Sequence, residues 1–251
     1  MERITSRKNP YIMRLRQLAS DASARRESGE TVLDGLKLLG EALASGAEVT
    51  GAVFAEGAAL PEGLECPIYA APAELLAYAS PVKNSPGPVF SVRMPRHEAP
   101  EAPDCAVVLE NMQDPGNVGT LIRTANALGI DLVVLCGECA DRSSPRAVRA
   151  SMGAAFRQSV VACEAAELPA LMERLGLTLY GAALSEGAQD LRTAQLRRAA
   201  VAIGNEGHGL SRELLDICAG AVIIPMRPGS ESLNAAAAGA VIMWEMARAR
   251  L

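Results

Sequence analysis

In the second half of the chain, short runs that are apolar throughout alternate with segments whose apolar positions recur every three or four residues. The runs predict strands over 105–110, 131–136, 157–162, 177–183, 199–204 and 220–225. The periodic segments predict helices over 117–128, 145–153, 165–175, 211–217 and 232–249. Spacings of three and four line one face of a helix, whereas a wholly apolar strand is one covered on both faces. The alternation therefore predicts an α/β fold, a parallel sheet between two helical layers. The first part of the chain repeats the theme on a smaller scale. It predicts helices at 10–19, Gly35–Ser45 and Pro72–Ala79, and strands at Thr31–Asp34 and Val49–Ala55. In the second of these helices Leu36, Leu39 and Leu43 make one stripe. Between the two parts, residues 94–103 carry Pro95, Pro100 and Pro103 and little to bury, so they read as a linker. The expected organisation is a small α/β domain over 1–93 and a larger one over 104–251.

The last predicted helix is apolar nearly all round, through Val241, Ile242, Met243, Trp244 and Met246. A terminal helix without a wet face is buried twice, against its own sheet and against a partner. That predicts a homodimer formed through the larger domain.

Composition adjusts this picture in two places. The formal charge of −5 argues against a protein that binds polyanions over its whole surface. Yet residues 1–26 hold Arg3, Arg7, Lys8, Arg14, Arg16, Arg25 and Arg26 against only Glu2 and Asp21, a local basic patch or a solvated helix face. The six cysteines lie mostly in apolar stretches, as free thiols of a reducing compartment do. Cys136-Gly-Glu-Cys139 has no second pair and no neighbouring His, so it reads as a strand end and no metal is expected. No secretory h-region and no run of transmembrane length is visible, and a cytoplasmic location is expected.

Three polar loops carry the candidate chemistry. Each follows a predicted strand, at the edge of a parallel sheet where ligands bind. The first runs from Glu110 through Asp114-Pro-Gly-Asn117 into a helix bearing Arg123. Asn117 can cap that helix, and Arg123 falls opposite its buried stripe, in the polar company of Thr120 and Asn126. The second is Gly204-Asn-Glu206-Gly-His208-Gly209, whose glycines permit positive φ and close approach of backbone to a ligand. Its spacing is neither G-x-G-x-x-G nor the P-loop pattern. The third is Ile224-Pro-Met-Arg-Pro-Gly-Ser-Glu-Ser232-Leu-Asn234, where Ser232 either caps the last helix or, with Asn234, holds substrate at its N-terminus. Arg142, Arg146 and Arg149, at helical spacing, form a second basic patch. Two such patches around a Gly-rich cleft favour a phosphodiester substrate over a small neutral metabolite.

In these three segments the sequence resembles the SpoU/TrmH family of RNA ribose methyltransferases, of the SPOUT class, over roughly residues 104–251. Residues 4–93, through Ile4-Thr-Ser-Arg-Lys-Asn-Pro-Tyr11 and Leu33-Asp-Gly-Leu-Lys-Leu-Leu-Gly-Glu-Ala-Leu43, resemble more loosely the substrate-binding domain of several members. Asp34 stands there where Glu is commoner. The resemblance implies a SPOUT domain with a deep trefoil knot, a feature otherwise rare in proteins. It implies S-adenosyl-L-methionine held by backbone at Gly204, Ile224 and Leu233, an obligate dimer, and a catalytic group of Asn117, Arg123, Glu206, Ser232 and Asn234. The substrate it implies is a ribose 2′-hydroxyl, which only RNA offers. Chain layout leans toward large-subunit ribosomal RNA over transfer RNA, and the motifs do not separate housekeeping from antibiotic resistance. A non-catalytic RNA-binding protein on the same fold, a nucleotide-dependent metabolic enzyme and a base methyltransferase are the alternatives. An arginine at the reacting hydroxyl is a poor base, since its pKa exceeds about 12. Its expected part is electrostatic, placing the neighbouring phosphate and easing loss of the hydroxyl proton.

Overall fold

The structure is a computed structural model that describes residues 1–83, 85–227, 229 and 232–251. The chain forms two compact units, Met1–Arg96 with Asp141–Arg157, and His97–Ala140 with Gln158–Leu251.

In the first unit β1 (Glu2–Arg3), α1 (Pro10–Ser20), α2 (Ala22–Ser28), β2 (Glu30–Asp34), α3 (Leu36–Ala44), β3 (Val49–Ala55), β4 (Ile68–Ala71), α4 (Ala73–Ala79) and β5 (Val89–Arg93) follow in order. The sheet order is β1-β4-β3-β5-β2. Its strands β1, β4 and β3 are parallel, while β5 runs antiparallel to both β3 and β2. One face is closed by Ile12, Leu15 and Leu18 of α1 with Leu75, Leu76 and Ala79 of α4. The stripe expected on α3 is turned. Leu38, Leu39 and Ala42 are buried and Leu36 is exposed, at the first position of the helix behind Gly35, whose φ is 91°. Short β1, β4 and β5 and helix α2 escape a sequence reading, since runs this brief carry no clear period.

The second unit contains β6 (Cys105–Glu110), α5 (Pro115–Leu128), β7 (Leu132–Cys136), β8 (Val160–Cys163), α7 (Leu168–Leu175), β9 (Thr178–Ala182), β10 (Gln189–Asp190), β11 (Ala199–Ile203), α8 (Arg212–Ile217), β12 (Gly220–Ile223) and α9 (Ala235–Ala247). Every pairing in the seven-stranded sheet, of order β10-β12-β9-β11-β6-β7-β8, is parallel. One face packs on α7 and α8 through Ala106, Val108, Leu132 and Val134. On the other, α5 and α9 lie close because residue 239 is glycine. A Cβ there would come within 2.2 Å of Leu121 Cδ2 and 2.9 Å of Ile203 Cδ1.

Helix α6 (Pro145–Ala150) belongs to the first unit, whereas the sequence reading put its whole segment in the second domain. Its attachment is partly electrostatic. Arg25 meets Asp141 at 2.8 Å, Arg149 meets Asp34 at 2.7 Å and Arg157 meets Glu41 at 2.8 Å. The helix expected to run to 153 stops at Ala150, because Met152 and Gly153 take left-handed φ of 51° and 82°.

Candidate functional site

Strands β6, β7 and β8 step outward in one direction, and β9 then crosses to the far side of β11. The carboxyl ends of β6 and β11, neighbours in the sheet, therefore lie where the strand order reverses, which opens a crevice. Both loops that leave these strands are built by buried polar groups. Glu110, at the end of β6, is 3 % exposed. It accepts hydrogen bonds from Ser211 N at 2.7 Å and Ser211 Oγ at 2.5 Å. Asn205 Nδ2 donates to Asn111 O at 2.8 Å, and Asn205 Oδ1 accepts from Gly207 N at 2.8 Å and His208 N at 3.3 Å. Glu110, Asn205 and Ser211 were given no role from sequence. A glutamate ending a wholly apolar strand was the available signal, since a buried charge must find partners.

The loop after β11 closes on itself through paired backbone hydrogen bonds between Asn205 and Gly209, of 3.0 and 2.9 Å. Its glycines also serve the loop itself. A Cβ on Gly204 would stand 2.1 Å from Gly209 C and 2.3 Å from Leu210 N, so Gly204 serves the loop's own closure. Only Gly209, at φ 70°, needs the left-handed region there.

Across the loop mouth runs a chain of side-chain bonds. Asn117 Nδ2 donates to Glu206 Oε1 at 2.9 Å, and Asn234 Nδ2 donates to Asn117 Oδ1 at 3.4 Å. The N–H groups of Gln113 and Asp114 also donate to Glu206, each at 3.4 Å. Burial works against ionisation of Glu206. The bonds from Asn117 and from the backbone of Glu206 itself, Gln113 and Asp114 outweigh it and hold the carboxyl below the usual range. Two caps expected here are corrected. Asp114, which accepts from Gly116 N, is the N-cap of α5, and Pro115 follows it at the first helical position, leaving Asn117 inside the helix. Asn234, not Ser232, caps α9, accepting from Ala236 N at 2.9 Å and Ala237 N at 3.2 Å.

Beneath this mouth lies a cleft of about 500 Å³. Its walls come from residues after β9, the 203–210 loop, the stretch after β12 and the first turns of α9. Gly204, Ile224 and Leu233 all line it, with Glu206, His208 and Ser232, while Ile203, Leu184 and Ile242 supply apolar wall. Asn117 and Asn234 are tied to it through Glu206. Arg123 is not among its lining residues. It is exposed on α5 and forms no ion pair with the described residues. Along the helix it stands about 9 Å, less than two turns, beyond Asn117. Of the third segment, Pro228, Ser230 and Glu231 lie outside the described residues.

The second basic patch does not form as expected. Arg142 lies before α6, largely buried, and donates to Pro95 O at 3.0 Å, while Arg149 is paired with Asp34. Desolvation lowers the Arg142 pKa. Cys136 ends β7, and Cys139 donates to Leu109 O at 3.1 Å. Among the described residues no group of three His, Cys, Asp or Glu is placed to hold a metal. No described helix is long and apolar enough to cross a membrane.

Residues 104–244 match the model of the SpoU rRNA Methylase family. Over 98 % of its length the chain is 33 % identical to an uncharacterised tRNA/rRNA methyltransferase of Synechocystis, covering 93 % of that protein. It is 30 % identical to the 23S rRNA (guanosine(2553)-2′-O)-methyltransferase RlmP of Bacillus subtilis, over 98 % of this chain and 99 % of that one. An rRNA methyltransferase of Sinorhizobium meliloti with AdoMet bound superposes with a TM-score of 0.88 at 26 % identity, covering 100 % of this chain and 98 % of the other. The AdoMet complex of AviRb, a SpoU methyltransferase of Streptomyces viridochromogenes, gives 0.87 at 26 % identity, covering 97 % and 98 % of the two chains. The loops that meet at the carboxyl edge of the parallel sheet are the loops this likeness runs through, and the chain belongs to the SpoU rRNA methylase family.

Proposed function

We propose that the protein transfers a methyl group from S-adenosyl-L-methionine to a ribose 2′-hydroxyl of RNA, with large-subunit ribosomal RNA as substrate and the cytoplasm as its location. The observation that carries this reading is the convergence of Gly204, Ile224 and Leu233 on one cleft beside the Asn117–Glu206–Asn234 chain. The cleft suits the donor. Backbone at those three residues supplies hydrogen-bonding groups, and Ile203, Leu184 and Ile242 an apolar wall for an adenine ring. Bound there, the donor supplies an electrophilic methyl group. A deep trefoil knot at the carboxyl edge of the sheet belongs to the same reading.

The remaining chemistry falls to side chains. Glu206, ionised at neutral pH, accepts only, so it fixes Asn117 and the two N–H groups behind it. Ser232 offers a hydroxyl at the cleft wall. Arg123, exposed and in no ion pair with the described residues, is available to a substrate phosphate next to the reacting sugar, where its charge favours loss of the hydroxyl proton to water. The assembly is a homodimer. Ala237, Val241, Trp244 and Arg248 fall on one stripe of α9, with Val241 41 % and Trp244 50 % exposed. Trp244→Glu is expected to give monomers in sedimentation velocity, and an unchanged dimer would refute this interface.

Tritiated methyl transfer to RNA from a strain lacking the gene, with mapping of the 2′-O-methyl position, tests the whole reading. Label on a base, or on transfer RNA alone, would overturn it. Arg123→Lys keeps the charge but loses the planar fork, and turnover near that of the wild type would remove Arg123 from its role.

A further inference from the structure

The seven cations of residues 1–26 do not remain a uniform patch. Arg3 pairs with Glu56 at 2.7 Å, Arg14 with Glu30 at 3.2 Å and the buried Arg25 with Asp141 at 2.8 Å. Arg7, Lys8 and Arg16 are exposed and form no ion pair with the described residues. Two of them are gathered at one place. The Arg7 guanidinium lies 4.6 Å from the centre of the Tyr78 ring and that of Arg16 lies 5.1 Å from it. Arg16 Nη1 also donates to Tyr78 O at 3.3 Å.

Different elements bring them there. Arg7 and Lys8 are the central residues of a turn closed by Asn9 N on Ser6 O at 3.1 Å and braced by Lys8 N on Ser6 Oγ at 3.1 Å. Arg16 projects from α1 and Tyr78 from α4. Like charges drawn to one half-buried ring repel each other unless an anion sits between them, and the ring attracts both without neutralising either. Guanidinium forks match phosphate, and an aromatic ring among guanidinium planes suits an unstacked base.

We infer that Arg7, Lys8, Arg16 and Tyr78 form a docking surface for the phosphodiester backbone of the substrate RNA. This rests on the proposed RNA substrate and adds the place of contact on the first unit.

The test measures binding of protein-free bacterial large-subunit ribosomal RNA between about 50 and 200 mM salt, the range over which phosphate contacts dominate. For the double variant Arg7→Ala/Arg16→Ala, the slope of log affinity against log salt is expected to be shallower by about 1.4 to 1.8, the loss of two phosphate contacts. Arg7→Lys/Arg16→Lys should keep most of that slope. Tyr78→Leu should lower affinity at every salt concentration with the slope preserved. Affinity for S-adenosyl-L-methionine and the far-ultraviolet circular dichroism are expected to match the wild type in each case. Steep wild-type binding with an unchanged slope in the alanine double variant would overturn the docking surface and leave the methyltransferase reading standing. Wild-type protein with no salt-dependent affinity for RNA would overturn both.

Discussion

The two units are both α/β, but they differ in where their polar groups gather. In the second, every strand of the sheet is parallel, so the carboxyl ends share one edge and polar residues collect there on loops. Glu110, Asn205 and Glu206 meet mainly backbone N–H and amide partners, and their work is to shape loops. In the first, β5 runs antiparallel between β3 and β2, so carboxyl ends point both ways and no single edge gathers loops. Its ion pairs are graded from the buried Arg25–Asp141 to the solvated Arg3–Glu56, whereas those of the second unit, such as Arg192–Asp190 and Arg248–Glu245, do not line its cleft. Topology thus decides where polarity goes. A sheet with one polar edge builds a cleft, and a mixed sheet spreads charge over its surface.

The contrast can be broken most severely in the first unit. Arg25 is 7 % and Asp141 20 % exposed at the side chain, and Arg25 Nη1 also donates to Leu18 O at 2.8 Å. Arg25→Ala strips the largely buried Asp141 of its counter-ion, leaving only its bonds from Ser143, removes the donor to the Leu18 carbonyl, and is expected to cost about 3 kcal/mol in urea unfolding. Arg3→Ala, at a pair 68 % and 43 % exposed, should cost less than about 1 kcal/mol. Equal losses would show that burial does not grade these pairs.

In the second unit the sharpest probe is a methyl group. Gly204→Ala puts Cβ into the backbone of Gly209 and Leu210, and is expected to weaken S-adenosyl-L-methionine binding at least about 100-fold, or about 2.7 kcal/mol, in calorimetry. Gly207→Ala, whose Cβ would lie 3.4 Å from Asn205 Oδ1, should stay within about twofold of the wild type, as its site is close to ordinary contact. Gly239→Ala tests packing beneath the cleft. Forcing α9 off Leu121 and Ile203 should lower stability by about 1–3 kcal/mol.

A more modest effect than that of Gly204→Ala concerns pH. The folded Glu206 carboxyl is held below its unfolded value of about 4.3, so its anchoring is complete above that pH and is lost as pH falls through the lower, folded value. Donor binding is expected to be flat from pH 8 to about 5 on this account and to weaken only in more acid solution. Glu206→Gln should reduce it by about three- to tenfold, since the group is largely exposed and screened. A midpoint above pH 5 that vanished in this variant would contradict the assigned direction.

Much of the second unit was legible because two-sided burial writes itself into each strand. Cys105–Glu110 and Ala199–Ile203 are apolar almost throughout, and no distant residue is needed to recognise them. Glu206 could likewise be picked out as a loop residue after a strand, whereas Gly204, Ile224 and Leu233 were singled out only by the resemblance to the SpoU/TrmH family. The first unit was harder, because β1, β4 and β5 are too short to show a period and gain their identity from their neighbours. Caps fell between these cases. Ser232 and Asn234 are equally good cap residues by type, and only the backbone turn into α9 chooses Asn234.

The order of residues alone thus determined the α/β class, the parallel sheet and which three segments are loops, since local composition records how a segment is buried. The tertiary structure alone decided that Gly204 guards the loop's own backbone, that Asn117, Glu206 and Asn234 touch, and that Arg14 and Arg25 are paired while Arg7 and Arg16 form no ion pair with the described residues. Those facts depend on contacts between residues far apart in the chain. Charge and size at one position do not say which distant atom lies within 3 Å.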